Sequence, residues 1–324
     1  MNRGGRRRGV AAAIAGLPVA GAVLAASAAY LGGVSAVPAA ATSSAAPGIC
    51  TAYSPAHRAL AAKLSRDINA ALASRSSTVA LMVRDRRTNV TCGLRQGWHF
   101  DSASVVKVTI LGGMLRMALD QHRYLTQTEV NLSTAMIERS DNSAASALWN
   151  RVGRNRLQHF LNLAKMTHTG LGPDGYWGLT QITAADELTL LKLLTSKNSV
   201  LDTPSRRYAL NLMAHVISSQ RWGVPAGTPK GVTVHVKNGW LPRTTHGWRI
   251  HSIGSFSGGG RDYMIVVLTQ DNATMAYGVR TIENVARIIH RDLNSGQAAA
   301  IPPSVITPSQ EVPDESIPAL PNLP

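Results

Sequence analysis

The chain has 324 residues, 44% of them hydrophobic, which is enough to bury one large core or two smaller ones. Its formal net charge of +15 suits an anionic partner such as nucleic acid, cell-wall polymer or lipid. The sequence has no zinc-finger spacing, no RNP-like aromatic set and no dense Lys/Arg run after residue 8. These features exclude nucleic-acid binding and leave a cell-wall polyanion as a partner.

The first 41 residues have the pattern of an export signal peptide. Arginines at residues 6–8 precede an uncharged, alanine-rich stretch at residues 10–33, and small residues at 36–41 offer a cleavage site. We therefore expect a secreted or cell-wall-associated protein, with an uncleaved membrane anchor as the alternative. The Arg-Arg pair is compatible with the twin-arginine route as well as the general one. Residues 42–54 are predicted to be a linker of small residues.

Residues 55–73 carry apolar side chains at helical spacing and predict the first helix. Two runs rich in β-branched residues, 78–83 and 90–94, flank a polar turn and predict a hairpin. Further helices are predicted in the regions 104–121, 154–164, 183–194, 205–218 and 275–293, and residues 131–150 are expected to hold a helix end and the turn that carries Ser140-Asp141-Asn142. Three more strands are predicted at residues 233–236, 247–256 and 263–269. The domain is expected to span residues 55–294, and a Pro-rich, disordered tail is expected to follow at 295–324.

Ser104 and Lys107 lie three residues apart at the start of a predicted helix. This spacing places both side chains on one helix face, and the apolar residues 108–111 that follow would bury the lysine stem. A buried amine near other positive groups loses its proton readily, so Lys107 is a candidate base that activates Ser104 as a nucleophile. Taken alone, the pattern favours an ordinary amphipathic helix with a serine cap and a solvated lysine.

Two further motifs follow, Ser140-Asp141-Asn142 and Lys237-Asn238-Gly239. Separately, the first is typical of a helix cap and the second of a hairpin turn. S-x-x-K, then S-D-N, then K-[TS]-G, in this order, is the signature set of class A β-lactamases and penicillin-binding proteins. The chain therefore resembles this superfamily, and most closely its class A branch, over almost the whole region after the linker.

The resemblance implies an α+β fold of the β-lactamase/transpeptidase type. A five-stranded antiparallel sheet, built from both ends of the chain, would be flanked by helices and joined to an inserted all-α domain. The active site would lie between these two parts, where pockets usually form. The resemblance also implies a β-lactam or a peptide like those of peptidoglycan as substrate, with no cofactor. We expect a monomer.

The resemblance assigns roles to individual residues. Ser104 would be the nucleophile, Lys107 its base, and Ser140 the relay that carries a proton to the leaving group. The backbone N–H groups of Ser104 and Trp240 would form the oxyanion hole. Substrate binding would fall to Asn142, Lys237, Asn238 and Gly239. Holding the catalytic lysine is an alternative role for the asparagine of S-D-N.

The chain departs from the class A pattern at three points. Asn238 stands where the family has Thr or Ser, so an amide would replace a hydroxyl on a substrate carboxylate. The segment between Ser104 and Ser140 is shorter than in typical class A enzymes, so a loop that lines the pocket is missing. Class A β-lactamases use an omega-loop glutamate to activate the deacylating water, whereas residues 163–183 contain Asp174 as their only acid. Asp174 is interpreted first as a turn residue and second as a replacement base.

These features predict an exported serine hydrolase that acts through an acyl-Ser104 intermediate on β-lactams or related peptides and esters. The missing glutamate leaves open a D-alanyl-D-alanine-type peptidase or a penicillin-binding protein with slow turnover. A non-catalytic cell-wall-binding module is the alternative from a different functional class.

The even number of cysteines, Cys50 and Cys92, predicts a disulfide in an exported protein, with two buried thiols as the alternative.

No H-E-x-x-H motif is present and the ten histidines show no ligand spacing, so no metal is expected. His246 and His251 are interpreted as packing or surface residues. Residues 254–258 resemble an esterase elbow but have phenylalanine where the serine is needed.

Overall fold

The computed structural model describes residues 48–295. The predicted signal peptide, the first part of the predicted linker and nearly all of the predicted tail lie outside these residues. In the range that is described, no helix is long and apolar enough to cross a membrane.

Within residues 48–295, eight strands and eight α-helices follow one another largely as predicted. The strands are Cys50–Ala52 (β1), Thr78–Asp85 (β2), Val90–Leu94 (β3), Phe100–Asp101 (β4), Gln181–Ile182 (β5), Thr233–Pro242 (β6), Trp248–Gly258 (β7) and Arg261–Asn272 (β8). The helices are Arg58–Leu72 (α1), Val106–Asp120 (α2), Gln127–Glu138 (α3), Asn142–Val152 (α4), Arg154–Ala164 (α5), Ala184–Thr195 (α6), Thr203–Ala214 (α7) and Met275–Leu293 (α8). In the region 131–150 the expected helix end is the end of α3, the expected turn contains Ser140, and a second helix, α4, follows the turn.

The main sheet is antiparallel and has the strand order β1-β3-β2-β8-β7-β6. It therefore has one strand more than the five expected, because β1 forms inside the segment predicted to be a linker. A strand of three residues is too short to show a periodic pattern. The central strand β8 has a continuous apolar run at residues 264–268 that is fully buried, since helices α6 and α8 both pack against it.

The predicted disulfide ties β1 to β3. Cys50 and Cys92 are direct neighbours in the register of the two strands, and their sulfur atoms are bonded. The alternative of two buried thiols is therefore wrong. The cysteines are 42 residues apart in sequence, a loop for which the chain-entropy estimate of the stabilisation is about 4 kcal/mol.

Helix α2 is buried along nearly its whole length. Gly112 and Gly113 allow α5 to pack closely, because a Cβ on either glycine would overlap the side chain of Phe160 or Leu157. The turn that precedes α2 packs against β6 and β7. The start of α2 is therefore held between the helical layer and the sheet, which fixes the position of the S-x-x-K motif.

Glu187 on α6 offers a stability test. It is fully buried, and neither carboxylate oxygen has a hydrogen-bond partner among the described residues. Burial, followed by the negative charge of Asp186, raises the pKa of Glu187 well above its usual value. Above the ordinary carboxyl pKa the unfolded chain then binds fewer protons than the folded one, so this group lowers stability as the pH rises.

We therefore expect Glu187→Gln to leave stability unchanged near pH 4 and to raise the free energy of unfolding by about 1–3 kcal/mol near pH 7. Urea unfolding of both proteins at the two pH values measures the difference. A gain of equal size at both pH values would contradict the interpretation of Glu187 as an uncompensated buried carboxyl.

Candidate active site

Ser104 lies in a single 3₁₀ turn, Ala103–Val105, that leads directly into α2. Ala103 has a left-handed φ of 46°, which is unfavourable for a residue with a Cβ and recurs at functional sites. Ser104 is 5% exposed. Its hydroxyl makes no hydrogen bond to another residue in the described part of the chain. The oxygen is also not fully buried, because it keeps some contact with solvent. The hydroxyl is therefore open to an incoming group.

Lys107 lies one turn further along α2 and is fully buried. Its Nζ donates to the backbone oxygen of Ser140 at 2.6 Å and to Asn142 Oδ1 at 2.7 Å, and it lies 3.1 Å from Ser140 Oγ. In this structure Asn142 thus holds the lysine, which is the second of its two expected roles. The polar partners of Lys107 all come from the S-D-N motif.

Ser140 occupies the connection between α3 and α4 and has a left-handed φ of 58°. Asp141 is the N-cap of α4, and its carboxylate accepts the Ala144 N–H at 2.7 Å. This cap fixes the turn, so that Ser140 and Asn142 both face Lys107.

Lys237 on β6 is the second lysine that contacts Ser140. Its Nζ donates to Ser140 Oγ at 3.0 Å and to the Asn238 carbonyl at 3.0 Å. Burial lowers the pKa of Lys237 to about 7. Burial and then the charge of Lys237 lower the pKa of Lys107 well below its usual value, against a smaller opposite effect of Asp141. Both amines contact the same hydroxyl, so the state in which only one of them is a charged ammonium group is favoured.

Gly239 lies against the turn that carries Ser104. A Cβ at this position would come within 2.9 Å of Ser104 N and 3.0 Å of the Ser102 carbonyl oxygen, so only glycine lets β6 pass this close. Within the described residues β6 is an outer strand of the sheet, and Trp240 is its next residue. The two main-chain segments expected to supply the oxyanion hole, at Ser104 and Trp240, therefore lie side by side.

Asn238 has a different position from the one expected. It is fully buried, and its amide nitrogen donates to the carbonyls of Gln220 at 2.8 Å and Trp222 at 2.9 Å. This corrects the expectation that the amide would donate to a substrate carboxylate, because both N–H bonds are already used. The ring of Trp240, on the same face of β6, packs edge-to-face on Trp222 with centroids 6.0 Å apart. Asn238 and Trp240 thus hold residues 220–222 against β6.

Trp177, which the sequence analysis did not select, lies against Lys107. Its indole ring is fully buried, and the ring centroid is 4.8 Å from Lys107 Nζ. The indole N–H donates to Ser146 Oγ at 3.0 Å, and the Trp177 and Gly178 carbonyls face Ser102 Oγ at 3.4 and 3.3 Å. A single tryptophan in an otherwise Gly-rich loop was the sequence signal that could have identified it.

Asp174 lies apart from this contact, in the exposed turn Pro173–Gly175, with a left-handed φ of 50°. The charged groups that shift the pKa of Lys107 are Lys237 and Asp141. The group of the loop at residues 166–177 that faces Lys107 is therefore the ring of Trp177. No described carboxylate of this loop does so.

His251 on β7 contacts the strand β4, which precedes the turn that carries Ser104. Its Nε2 donates to the Asp101 carbonyl at 2.8 Å, and its Nδ1 accepts the Thr269 N–H at 3.2 Å. Burial lowers the pKa of His251 to about 4, so the ring is neutral at physiological pH. Because both ring nitrogens are used, the interpretation of His251 as a packing residue fits the structure, and the ring links β4 to β7.

The side chains around Ser140 are two lysines, whose N–H groups can bind an anion and transfer protons, and an asparagine, whose oxygen accepts a hydrogen bond from Lys107. Across residues 48–295, no three His, Cys, Asp or Glu side chains are grouped so that they could hold a metal ion. The site as described thus has the groups for acid–base chemistry on a serine.

A family model described as "Beta-lactamase enzyme family" matches residues 127–293. A search of curated protein sequences finds no match.

Several solved structures have a similar fold. A class A beta-lactamase from Bacteroides cellulosilyticus DSM 14838 is 19% identical with a TM-score of 0.64, covering 72% of this chain and 98% of that one. PBP-A is 18% identical with a TM-score of 0.62, covering 71% and 95%. A PBP-A mutant in an acyl-enzyme complex with penicillin G is 17% identical with a TM-score of 0.59, covering 71% and 95%.

These identities show a common fold, whereas the family match covers more than half of the chain and shows the family. The matched region includes Ser140, Asn142 and Lys237. Lys107 and Ser104 precede that region. The fold places Lys107 beside Ser140 and Asn142, Lys237 contacts the same Ser140, and Ser104 lies against Gly239. The chain therefore belongs to the beta-lactamase enzyme family.

Proposed function

We propose that this protein is an exported serine hydrolase that forms a long-lived acyl-Ser104 intermediate with β-lactams or with D-alanyl-D-alanine-type peptides. It would then be a penicillin-binding enzyme with slow turnover. The observation that carries this proposal is the contact of Trp177 with Lys107, at a site that otherwise has the groups for acylation. The signal-like residues 1–41 and the Cys50–Cys92 bridge, a bond that persists in oxidising compartments, support export.

Acylation would begin with a neutral Lys107. A neutral amine has two N–H bonds, which match the Ser140 carbonyl and Asn142 Oδ1, and one lone pair, which remains for a hydroxyl proton. Ser104 Oγ attacks the acyl carbon, and its proton passes to Lys107 Nζ. Ser140 Oγ–H gives its proton to the leaving nitrogen and takes the proton of Lys107 in return. The ester forms as the amide bond breaks, and Lys107 returns to its neutral state.

The tetrahedral oxyanion would be held by the backbone N–H groups of Ser104 and Trp240. A donor of this kind typically lowers the barrier by about 3 kcal/mol. When protonated, Lys237 adds a positive charge 3.0 Å from Ser140 Oγ, where a substrate carboxylate would be attracted. Asn238 contributes indirectly, through its hold on residues 220–222.

Deacylation would lack its base. In class A β-lactamases a glutamate of the omega loop activates the water that hydrolyses the ester. In this chain the loop presents the indole of Trp177 to Lys107, and an indole has no basic atom to take a proton from water. General-base assistance typically contributes about 100- to 10,000-fold, so the acyl-enzyme should accumulate. The PBP-A mutant of similar fold was solved as an acyl-enzyme complex with penicillin G, which supports a penicillin as the first substrate to test.

The direct test is the reaction of the wild-type protein with a β-lactam. A chromogenic cephalosporin should give a burst of about one equivalent and then a slow phase. Intact-mass spectrometry should show one drug molecule per chain, which persists after free drug is removed. Rapid hydrolysis without a burst would instead establish a β-lactamase with fast deacylation. Neither adduct nor hydrolysis would favour the non-catalytic wall-binding module.

The rate of acylation should also depend on pH as a bell-shaped curve. On the acid side the rate rises as Lys107 loses its proton. On the alkaline side it falls as Lys237, with its pKa of about 7, loses the charge that attracts an anionic substrate. Lys237→Arg should shift the alkaline limb to much higher pH, because a guanidinium stays charged. A falling limb near pH 7 that survives in Lys237→Arg would rule out Lys237 as its source.

A further inference from the structure

A cavity of about 580 Å³, broadly open to solvent, lies between the strands β2 and β3 on one side and α5, α6 and residues 196–200 on the other. It shares no lining residue with the candidate active site. Four apolar side chains contribute to its wall: Leu163, Ala164, Leu193 and Val200. Its volume is in the range of sites that hold small organic molecules.

Arg84 contributes a positive charge that no acid among residues 48–295 balances. Its guanidinium donates to Thr91 Oγ1 at 2.7 Å and to the carbonyl and side-chain oxygens of Asn89 at 3.2 and 2.6 Å. These acceptors are all neutral. They fix the orientation of the guanidinium group without compensating its charge.

Lys192, an exposed residue on α6 at the edge of the cavity, contributes a second charge that no described acid compensates. Within residues 48–295 its ammonium group has neither a hydrogen-bond partner nor an ion-pair partner. Burial and then the charges of Arg84 and Arg86 lower the pKa of Lys192. The cavity thus holds cations that repel one another, a state that a bound anion would relieve.

Arg86, the third basic residue of the lining, differs from the other two because it is paired. It donates to Thr195 Oγ1 and Ser196 Oγ at 2.6 Å each, and it lies 3.1 Å from a carboxylate oxygen of Asp262. The lining itself includes no carboxylate. Two positive charges therefore remain unbalanced, whereas several arginines elsewhere in the described residues are paired with acids: Arg116 with Asp120, Arg123 with Glu129 and Arg249 with Asp101.

We propose that this cavity binds the phosphate group of an organic phosphomonoester. Two unbalanced cations match a group that carries about −1.5 to −2 charge near pH 7, better than they match a single carboxylate. The oriented guanidinium of Arg84 and the free ammonium of Lys192 supply charge-assisted donors to the phosphate oxygens. The apolar part of the wall offers space for the organic part of the ligand, because the cavity is larger than a phosphate ion alone requires. This site is independent of acylation at Ser104.

The test is calorimetric titration of the folded wild-type protein with glycerol 3-phosphate and, separately, with inorganic phosphate. We expect saturable binding that is weakened about tenfold or more by Lys192→Met and by Arg84→Gln. Lys230→Met, which removes an exposed lysine outside the cavity lining, is the matched control and should bind like wild type. Binding that is absent at low salt, or equal in Lys192→Met and Lys230→Met, would overturn the proposal.

Sedimentation with phosphatidic acid vesicles distinguishes a lipid headgroup from a soluble ester. Vesicle binding that is lost in Lys192→Met but kept in Lys230→Met would support the site and assign it to a headgroup. Vesicle binding that falls equally in both variants would reflect the general positive charge and count against the site. Penicillin labelling of all the variants should equal that of wild type, so the outcome does not depend on the proposed reaction.

Discussion

Ser104→Ala is expected to lower the rate of covalent labelling by a fluorescent penicillin by at least about 1,000-fold. The substitution removes the hydroxyl that would form the ester. It should leave the fold intact, because Ser104 Oγ has no hydrogen-bond partner among the described residues and no side-chain cap bond exists at the start of α2. Time courses of labelling on gels, with thermal unfolding in parallel, measure both effects.

Ser143→Ala is the matched control for that experiment. Ser143 is an exposed serine on α4, and its side chain has no hydrogen bond within the described part of the chain. It should label like wild type. If Ser104→Ala also labelled at the wild-type rate, another residue would have to be the nucleophile and the proposed mechanism would fail.

Trp177→Glu is expected to hydrolyse its acyl-enzyme about 100- to 10,000-fold faster than wild type does. The new carboxylate would lie where the indole now contacts Lys107, and the smaller side chain would leave room for water beside it. Acylation should change much less, because Ser104, Lys107 and Ser140 are untouched. The measurement is the decay of preformed penicilloyl-enzyme, followed by intact mass after free drug is removed.

Trp177→Gln separates the two contributions to that effect. Glutamine has nearly the size of glutamate but offers no base, so it should accelerate deacylation far less. Equal acceleration by Gln and Glu would show that admitting water is sufficient. No acceleration by either would show that Trp177 does not limit deacylation. Loss of a buried tryptophan costs about 3–5 kcal/mol, so Trp177→Phe, which keeps an aromatic ring, serves as the variant that should remain folded and deacylate slowly.

Local patterns in the sequence were sufficient to predict most of the fold. The five longer strands and the helices have clear periodicity or β-branched runs, and the motif order placed Ser104, Lys107, Ser140 and Lys237 in one site. The strands β1, β4 and β5 were missed because they have two or three residues each. Such strands exist only because a distant partner pairs with them, and that partner cannot be recognised from the local sequence.

The errors within the site have the same origin. Strand periodicity places Asn238 and Trp240 on one face of β6, but it does not reveal that Gln220 and Trp222 lie opposite that face. The family pattern also gave Asn238 the role of the residue it replaces. In the folded chain its amide N–H groups donate hydrogen bonds to two backbone carbonyls, so they are not free to bind a substrate. The contact of Trp177 with Lys107 likewise depends on the path of a loop. The sequence gives the residues of that loop but not the path that it takes.

The central position of β8 determines the order in which the chain can fold. Residues 78–85 of β2 pair with residues 263–270 of β8, so the two halves of the sheet are joined by strands from opposite ends of the chain. The helices α2 to α7 lie between them in sequence, and the contacts of these helices with one another close shorter loops than the β2–β8 pairing does, so they can form faster. A chain that emerges N-terminus first must therefore keep β2 without its central neighbour until β8 has emerged. A truncation before residue 261 would leave the hairpin β2–β3 and helix α1 exposed, without the strand and the helix α8 that cover them.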